Sequence, residues 1–203
     1  MKKIYISPEF FLNKYDELYL GINKNWQKLF KNLKVNINFS FDNNHENIVK
    51  NYDILLLIGG GDISKINRNK INLMRDKEEI FLIKSFLKKK KPIIGICRGM
   101  QQIVSHFGGK LKKIDGHVKK NHIINFNKVK LNVNSFHNLG VSKLPKHFQC
   151  LAKSKDKSME VIYSKNKDIL GLMFHPEREN KSQKIVNKLL KDFINGNCNF
   201  SRW

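Results

Sequence analysis

The sequence lacks several features that define other classes of protein. No apolar run approaches the roughly 20 residues of a membrane span, and the basic start "MKKIYISPEFF" has no apolar core of the signal-peptide kind. The chain has only three cysteines, an odd number without the spacing of zinc ligands: Cys97, Cys150 and Cys198. These absences favour a cytoplasmic, reduced protein, and they argue against a disulfide framework or a cysteine-based zinc site.

Acidic residues are also scarce. The chain has 17 Asp and Glu against 39 Lys and Arg, a formal net charge of +22. The excess lysine is spread along the whole chain, and its one run, Lys88–Lys91, ends a predicted helix. Because no zinc finger, aromatic RNA-binding stripe or basic arm accompanies this charge, we expect no nucleic-acid partner. A basic surface of this kind favours small anionic substrates.

The order of apolar patterns predicts the fold. The 203 residues suit one hydrophobic core, and no linker or repeat divides them, so one domain over residues 1–203 is expected. Alternating strand and helix patterns predict an α/β fold with a mainly parallel sheet between helices and a small antiparallel excursion near residues 120–165. A capping box of Asp76 and Glu79 is expected to open the second helix. The predicted strands are residues 3–7, 34–41, 52–58, 93–97, 122–127, 129–135, 148–154, 159–165 and 169–175. The predicted helices are residues 25–33, 77–91, 98–109 and 182–196.

The segment "GICRG" has the form of a nucleophile elbow, a sharp turn from a strand into a helix. Gly95 and Gly99 flank Cys97 at the positions where such a turn brings backbones together. A cysteine at a helix N-terminus is favoured as thiolate by the helix dipole, and the N–H groups of Cys97 and Arg98 are candidate donors to an oxyanion. The motif alone leaves open a buried structural cysteine between incidental glycines.

A second motif, "FHPE", supplies a base and a carboxylate. Proline keeps the preceding His175 out of the helical conformation, so His175 and Glu177 are expected to project to the same side. Glu177 would then bond one imidazole nitrogen and leave the other for Cys97. The histidines outside recognisable motifs are expected to be surface or packing residues: His45, His106, His117, His122 and His147.

The segments "GICRGMQ" and "FHPE" resemble those of class I glutamine amidotransferases, which have a flavodoxin-like fold and a Cys-His-Glu triad. "LLLIGGGDI" and "VNSFHNLG" are similar to segments of the γ-glutamyl hydrolase branch, so the resemblance covers nearly the whole chain. It implies a catalytic triad of Cys97, His175 and Glu177 that needs neither a metal ion nor a cofactor. The implied oxyanion donors are Gly60, Gly61 and Arg98. The implied glutamyl-binding residues are Gln101, Asn134, Ser135, Phe136 and His137.

The resemblance leaves the reaction partner open. One reading is a hydrolase that releases L-glutamate from a γ-glutamyl amide, with a nucleotide-linked amide of capsule biogenesis as the implied substrate. The alternatives are an ammonia-donating subunit, as in imidazole glycerol phosphate synthase, or a γ-glutamyl-GABA hydrolase. The run Gly59–Asp62 resembles the hydrolase branch, whereas Met173 stands where the family usually has glutamine. An anionic leaving group would be met by cations of Ser64–Lys70, namely Lys65, Arg68 and Lys70. A homodimer or a pathway partner is possible in either case.

Overall fold

The computed structural model describes residues 2–38 and 44–200. The predicted strand over residues 34–41 therefore lies partly outside the described residues, and a strand is present at 36–38. The strands of the described chain are β1 Lys3–Ser7, β2 Glu9–Leu12, β3 Leu18–Gly21, β4 Asn36–Asn38, β5 Ile54–Leu57, β6 Ile93–Ile96, β7 Lys110–Lys113, β8 Val118–Phe126, β9 Val129–Phe136, β10 Leu139–Lys143, β11 Gln149–Ser154, β12 Met159–Ser164 and β13 Ile169–Leu172. The α-helices are α1 Asn25–Leu33, α2 His45–Asn51, α3 Lys70–Lys88, α4 Arg98–His106 and α5 Gln183–Ile194.

Nine of these strands form one sheet in the order β4-β1-β5-β6-β13-β12-β11-β8-β9. The strands from β4 to β13 run parallel to one another, and those from β12 to β9 continue the sheet with antiparallel pairings. The predicted α/β class and parallel centre are confirmed. The antiparallel part is larger than predicted, because it is half of the sheet and not a small excursion.

The three central strands explain where the site forms. Every residue of β5, β6 and β13 is buried, as their continuous apolar sequences require for strands covered on both faces. Alternate residues of β5 face opposite sides, so that Ile54 and Leu56 join a core with α1 and α5, while Leu55 and Leu57 join a core with α2 and α3. Because β5, β6 and β13 are parallel neighbours, their carboxyl ends meet at one edge of the sheet.

The helix before β6 begins earlier than predicted. Helix α3 starts at Lys70, and the side chain of Asn69 caps it by accepting the N–H of Asn72 at 2.9 Å. The predicted capping box of Asp76 and Glu79 is therefore wrong, since both residues lie within the helix and are buried. The spacing of Asp76 and Glu79 imitates a capping box, whereas the actual cap is the side chain of Asn69.

Other elements were not predicted from sequence. The strands β2 and β3 form a hairpin, and β7 pairs with β10 in a separate two-stranded sheet. Helix α2 begins after Asn44, whose side chain accepts the N–H groups of Glu46 and Asn47. No helix among the described residues is long and apolar enough to cross a membrane.

Candidate active site

The turn that carries Cys97 joins β6 to α4 and has the strained geometry of an elbow. Cys97 has φ 52° and ψ −108°, a positive φ that non-glycine residues rarely adopt. A Cβ on Gly95 would lie 2.8 Å from the backbone of Gly99, and a Cβ on Gly99 would lie 2.2 Å from the Leu57 carbonyl oxygen. Both glycines are therefore required by close backbone contacts, as the elbow predicts.

One of the two predicted oxyanion donors of the elbow, the N–H of Cys97, already has an acceptor in the sheet. The N–H of Cys97 donates to the carbonyl of Leu172 at 2.7 Å, so it continues the pairing of β6 with β13 and does not face an oxyanion. The expectation for this N–H was wrong because Cys97, the last residue of the predicted strand, still pairs with β13. Arg98 is the first residue of α4, where a backbone N–H has no acceptor within the helix.

His175 lies beside Cys97, beyond the end of β13. Its Nδ1 is 2.7 Å from Oε1 of Glu177, and both side chains are almost completely buried. The backbone of His175 is held by Asn134, whose Oδ1 accepts the His175 N–H at 2.9 Å and whose Nδ2 donates to the His175 carbonyl at 2.8 Å. With Nδ1 bonded to the carboxylate, Nε2 is the nitrogen that faces Cys97.

Gly59 marks the point where the two side chains converge. A Cβ on Gly59 would lie 3.4 Å from both the Cβ of Cys97 and the Nε2 of His175, and only 2.7 Å from the His175 Cε1. Burial by itself would lower the pKa of His175, but its hydrogen bonds to Cys97 and Glu177 outweigh that effect and raise the pKa to about 9. The imidazole therefore carries its proton at neutral pH, between the side chains of Cys97 and Glu177.

The glycine loop after β5 is oriented by a residue that sequence reasoning missed, Arg75. The guanidinium of Arg75 donates to the carbonyls of Ile58, Gly59 and Gly60 at 2.8, 3.1 and 2.7 Å. In a trans peptide the N–H points opposite to the carbonyl, so the N–H groups of Gly60 and Gly61 point away from Arg75. Gly60 and Gly61 have φ of 93° and 66°, a conformation that favours glycine.

A buried ionic network, formed by Arg75, Asp76, Glu79 and Arg98, joins this loop to the elbow. Glu79 accepts from Nε of Arg75 at 2.8 Å with one oxygen and from Nη1 of Arg98 with the other, while Asp76 accepts from Nη2 of Arg98. The four residues are 2%, 7%, 0% and 1% exposed, respectively. Arg98 also donates to the carbonyl of Asp62 at 3.1 Å. Two cations and two carboxylates compensate each other, and Arg98 is thereby directed inward and away from a ligand.

The structure distributes the predicted glutamyl-binding residues differently. Phe136 is half-buried and places its ring edge-on to the His175 ring, with 5.8 Å between centroids. The side chain of Asn134 is used to hold His175, and the Ser135 hydroxyl donates to the carbonyl of His117 at 2.6 Å. Both side chains are buried, so a contact of Asn134 or Ser135 with a ligand involves the backbone.

Gln101 and His137 also direct their side chains into the protein. Gln101 donates to the carbonyl of Leu139 at 3.2 Å and lies against the sulfur of Met173 at 3.8 Å. His137 is 3% exposed, and burial lowers its pKa to about 4, so it is neutral at physiological pH. A neutral buried imidazole provides no positive charge for a substrate carboxylate.

One of the predicted cations, Lys65, is not directed at Cys97. Lys65 extends its ammonium group to the carbonyl of Ser105, at the opposite end of α4, about 12 Å along the helix axis from Cys97. Arg178, which sequence reasoning did not single out, is nearer. Its guanidinium lies 4.2 Å from the centroid of the Phe136 ring, and its Nε lies 3.8 Å from Oε1 of Glu177.

Two of the remaining histidines have partners that the sequence did not reveal. His45 lies 2.7 Å from a Glu78 carboxylate oxygen, and His117 lies 2.8 Å from one of Asp156. His117 is also buried, which is consistent with the expected packing role, and its pairing with Asp156 was not predicted. No local motif marked these pairs, because their members are 33 and 39 residues apart in sequence.

Comparison with known proteins agrees with this architecture. The family described as Peptidase C26 matches residues 30–177, and the chain belongs to this family of class I glutamine amidotransferases. It is 34% identical to the γ-glutamyl-CDP-amidate hydrolase of Campylobacter jejuni over 82% of this chain and 81% of that protein. It is 31% identical to a GMP synthase of Thermosipho melanesiensis over 59% of this chain and only 24% of that enzyme. A glutamine amidotransferase structure from Thermotoga maritima superimposes with a TM-score of 0.64 at 17% identity, covering 98% of this chain and 86% of that one.

The ionic network yields a stability prediction. In Glu79→Gln the two arginines retain only Asp76, which leaves one buried positive charge uncompensated. We expect the free energy of unfolding, measured by urea denaturation, to fall by about 3–5 kcal/mol. The control is Asp192→Asn, which breaks the exposed pair with Lys188 and should change the free energy by less than about 1 kcal/mol. Equal effects of the two substitutions would contradict the structural role given to the network.

Proposed function

We propose that this chain is a cysteine hydrolase that cleaves a γ-glutamyl amide and releases L-glutamate. The observation that carries the proposal is the convergence of Cys97 and His175 at Gly59, with Glu177 bonded to the far nitrogen of the imidazole. A nucleophile, a base and a group that orients the base are the arrangement of nucleophilic acyl transfer. Membership of the Peptidase C26 family supports the same reaction class.

In the first step the thiolate of Cys97 attacks the γ-carbonyl carbon of the substrate, and the carbonyl electron pair moves to oxygen. We assign the resulting oxyanion to the N–H groups of Gly60, Gly61 and Arg98, because preorganised backbone donors stabilise such charge strongly. The N–H groups of Gly60 and Gly61 point away from Arg75, because Arg75 bonds the carbonyls of the same peptide units, and this direction supports the assignment.

In the second step the tetrahedral intermediate collapses and the carbon–nitrogen bond breaks. His175 donates its Nε2 proton to the departing nitrogen, while Glu177 stabilises the imidazole in the required orientation. A water molecule then gives its proton to His175 and attacks the glutamyl thioester, which releases glutamate and returns the thiolate. Glu177 contributes orientation and charge, and it takes no proton itself.

We propose that the amide nitrogen of the substrate carries a nucleoside diphosphate, which is the substrate type in the name of the C. jejuni relative. Hydrolysis of γ-glutamyl-CDP-amidate would then yield cytidine diphosphoramidate and glutamate. The position of Arg178 beside Phe136 and His175 supports an anionic leaving group on that side of the imidazole. The Glu9 carboxylate lies against Gly60 and disfavours binding of the leaving-group anion beside that residue. A role in capsule biogenesis, and the formation of a homodimer, stay predictions.

The second candidate is an ammonia-donating glutaminase with a synthase partner, which the similarity to GMP synthase favours. The two functions differ in the preferred substrate. A hydrolase of the nucleotide amidate turns over γ-glutamyl-CDP-amidate far faster than glutamine in the absence of any partner. A glutaminase subunit prefers glutamine and accelerates when its synthase is added. Measuring glutamate release from both substrates with the isolated chain therefore distinguishes them.

The His175 pKa gives a pH prediction. The imidazolium of His175 persists below its raised pKa of about 9 and loses its proton as the pH rises through that value, so kcat/KM should fall on the basic side near pH 9. In Glu177→Gln one of the interactions that raise this pKa is lost, so the basic limb should move to lower pH and the maximal rate should fall. Glu179→Gln, an equal change of charge at an exposed neighbour, is the control and should leave the profile in place. A Glu177→Gln profile that coincides with that of the unsubstituted enzyme would remove Glu177 from the triad.

The leaving-group proposal rests on Arg178. Replacing it in Arg178→Gln should raise KM for γ-glutamyl-CDP-amidate at least about tenfold, the loss expected for one charge-assisted hydrogen bond, with little change in KM for glutamine. Lys65→Gln removes the same charge at the far end of α4 and should alter neither value. Binding of the amidate should also weaken with added salt, since the contact is partly exposed. An equal rise in KM for both substrates, or a larger effect of Lys65→Gln, would contradict the anionic site.

A further inference from the structure

A second cluster of chemically active side chains lies around Glu160 on β12, the strand that pairs with β13. His117, His137 and Glu160 each place a ligand-type atom within 4.8 Å of the other two. Their exposed fractions are 5%, 3% and 0%, so the cluster is enclosed by protein. His122, on β8, joins it with its Nε2 3.5 Å from Glu160 Oε2, and His117 lies immediately before that strand. None of these side chains has a part in the proposed hydrolysis.

The inward atoms of the cluster have no hydrogen-bond partner. His117 Nδ1 and His137 Nε2 lie 3.6 and 3.7 Å from Oε1 of Glu160, too far for hydrogen bonds. These two nitrogens, His122 Nε2 and both carboxylate oxygens are buried and unsatisfied. Buried polar atoms are normally paired, and an ionised carboxylate at 0% exposure is costly without compensation. The arrangement therefore indicates a missing positive partner at its centre.

The outward atoms of the same histidines are already bonded. His117 Nε2 lies 2.8 Å from Asp156 Oδ2, and His137 Nδ1 lies 3.2 Å from the carbonyl of Leu139. A carbonyl accepts only, so Nδ1 of His137 carries the proton and Nε2 presents a lone pair to the centre. The Asp156 carboxylate accepts a hydrogen bond from Nε2 of His117, so the lone pair of that ring lies on Nδ1 and points to the centre of the cluster. Metal-binding histidines are oriented by this pattern of outer hydrogen bonds to carboxylates and backbone carbonyls.

We propose that His117, His137 and Glu160 form a binding site for a divalent transition-metal ion of the zinc class, with His122 as a fourth ligand. Imidazole and carboxylate ligands are typical of zinc, and bonds of about 2.0–2.2 Å in a tetrahedron place neighbouring ligand atoms about 3.3–3.6 Å apart. The separations of 3.6 and 3.7 Å of His117 and His137 from Oε1 of Glu160 are close to that spacing, and His122 lies 3.5 Å from the other carboxylate oxygen, Oε2. The imidazoles of His117 and His137 need to move together slightly when the ion binds.

The site would have a structural function and would brace the candidate active site. His117 lies just before β8, which carries His122, His137 lies just after β9, and Glu160 lies on β12, so the ligands join three strands of the antiparallel half of the sheet. The carbonyl of Glu160 accepts the N–H of Met173 at 2.8 Å, two residues before His175. Residues of β9 just before His137 hold the backbone and ring of His175 through Asn134 and Phe136. An ion that joins these strands would therefore limit the movement of the imidazole.

The test is zinc titration of the full chain in a Cys97→Ser background, which removes the active-site thiol as a competing ligand. The protein is stripped with a chelator, freed of any histidine tag and titrated calorimetrically with Zn²⁺. We expect one ion per chain and a higher melting temperature with Zn²⁺ present. Co²⁺ should give the intense visible absorption of a tetrahedral site without the charge-transfer band of a thiolate ligand. Absence of stoichiometric binding, or a thiolate band from Cys150 or Cys198, would overturn the proposal.

Substitutions locate the bound ion. His137→Gln and Glu160→Gln should each weaken Zn²⁺ binding by more than about a hundredfold, and Asp156→Asn should weaken it about 10–100-fold through the orientation of His117. Asp156 is about half exposed, so this milder variant tests the site even where a core substitution prevents folding. His147→Gln, outside the cluster, is the matched control and should bind as the parent does. Equal affinities in Asp156→Asn, His147→Gln and the parent would place the ion elsewhere and refute the site.

Discussion

The candidate site depends above all on the buried ionic network of Arg75, Asp76, Glu79 and Arg98. It fixes two segments that no regular hydrogen bonding connects, the glycine loop after β5 and the elbow after β6. Burying four charged groups costs free energy, and leaving one of them without a partner costs more. The observed arrangement is favoured because every charge in it has a partner of opposite sign. That arrangement sets the direction of the loop carbonyls and, through them, the direction of the opposing N–H groups.

The imidazole is positioned by a different part of the sheet. Asn134 on β9 bonds both backbone groups of His175, although β9 lies at the edge of the sheet and β13 at its centre. The antiparallel half of the sheet therefore positions the imidazole, while the parallel half carries Cys97. The proposed metal site lies at the same junction, so the two clusters share a structural support while they differ in chemistry.

Much of this architecture could be predicted from the sequence, because local patterns determine it. The apolar runs of the central strands require burial on both faces of the sheet, and these strands are buried. The glycines around Cys97 are required by close backbone contacts, which the structure contains. The parts that could not be predicted depend on distant residues. Asp76 and Glu79 have the spacing of a helix start, but in the structure they lie within α3 and bind Arg98. Lys65 follows the active-site loop in sequence, but its ammonium group bonds at the far end of α4. The histidine cluster with Glu160 likewise combines residues from three strands, which no spacing rule connects.

The central claim is that the thiol of Cys97 accepts the glutamyl group. Its most direct test is mass spectrometry of enzyme that is quenched with acid during turnover of γ-glutamyl-CDP-amidate, followed by peptide mapping. The account predicts a mass increase of one glutamyl group on the peptide that contains Cys97, with none on the peptides that contain Cys150 or Cys198. A Cys97→Ser enzyme should give neither the adduct nor free glutamate. Glutamate release by that variant, or a glutamyl adduct on another cysteine, would contradict the account.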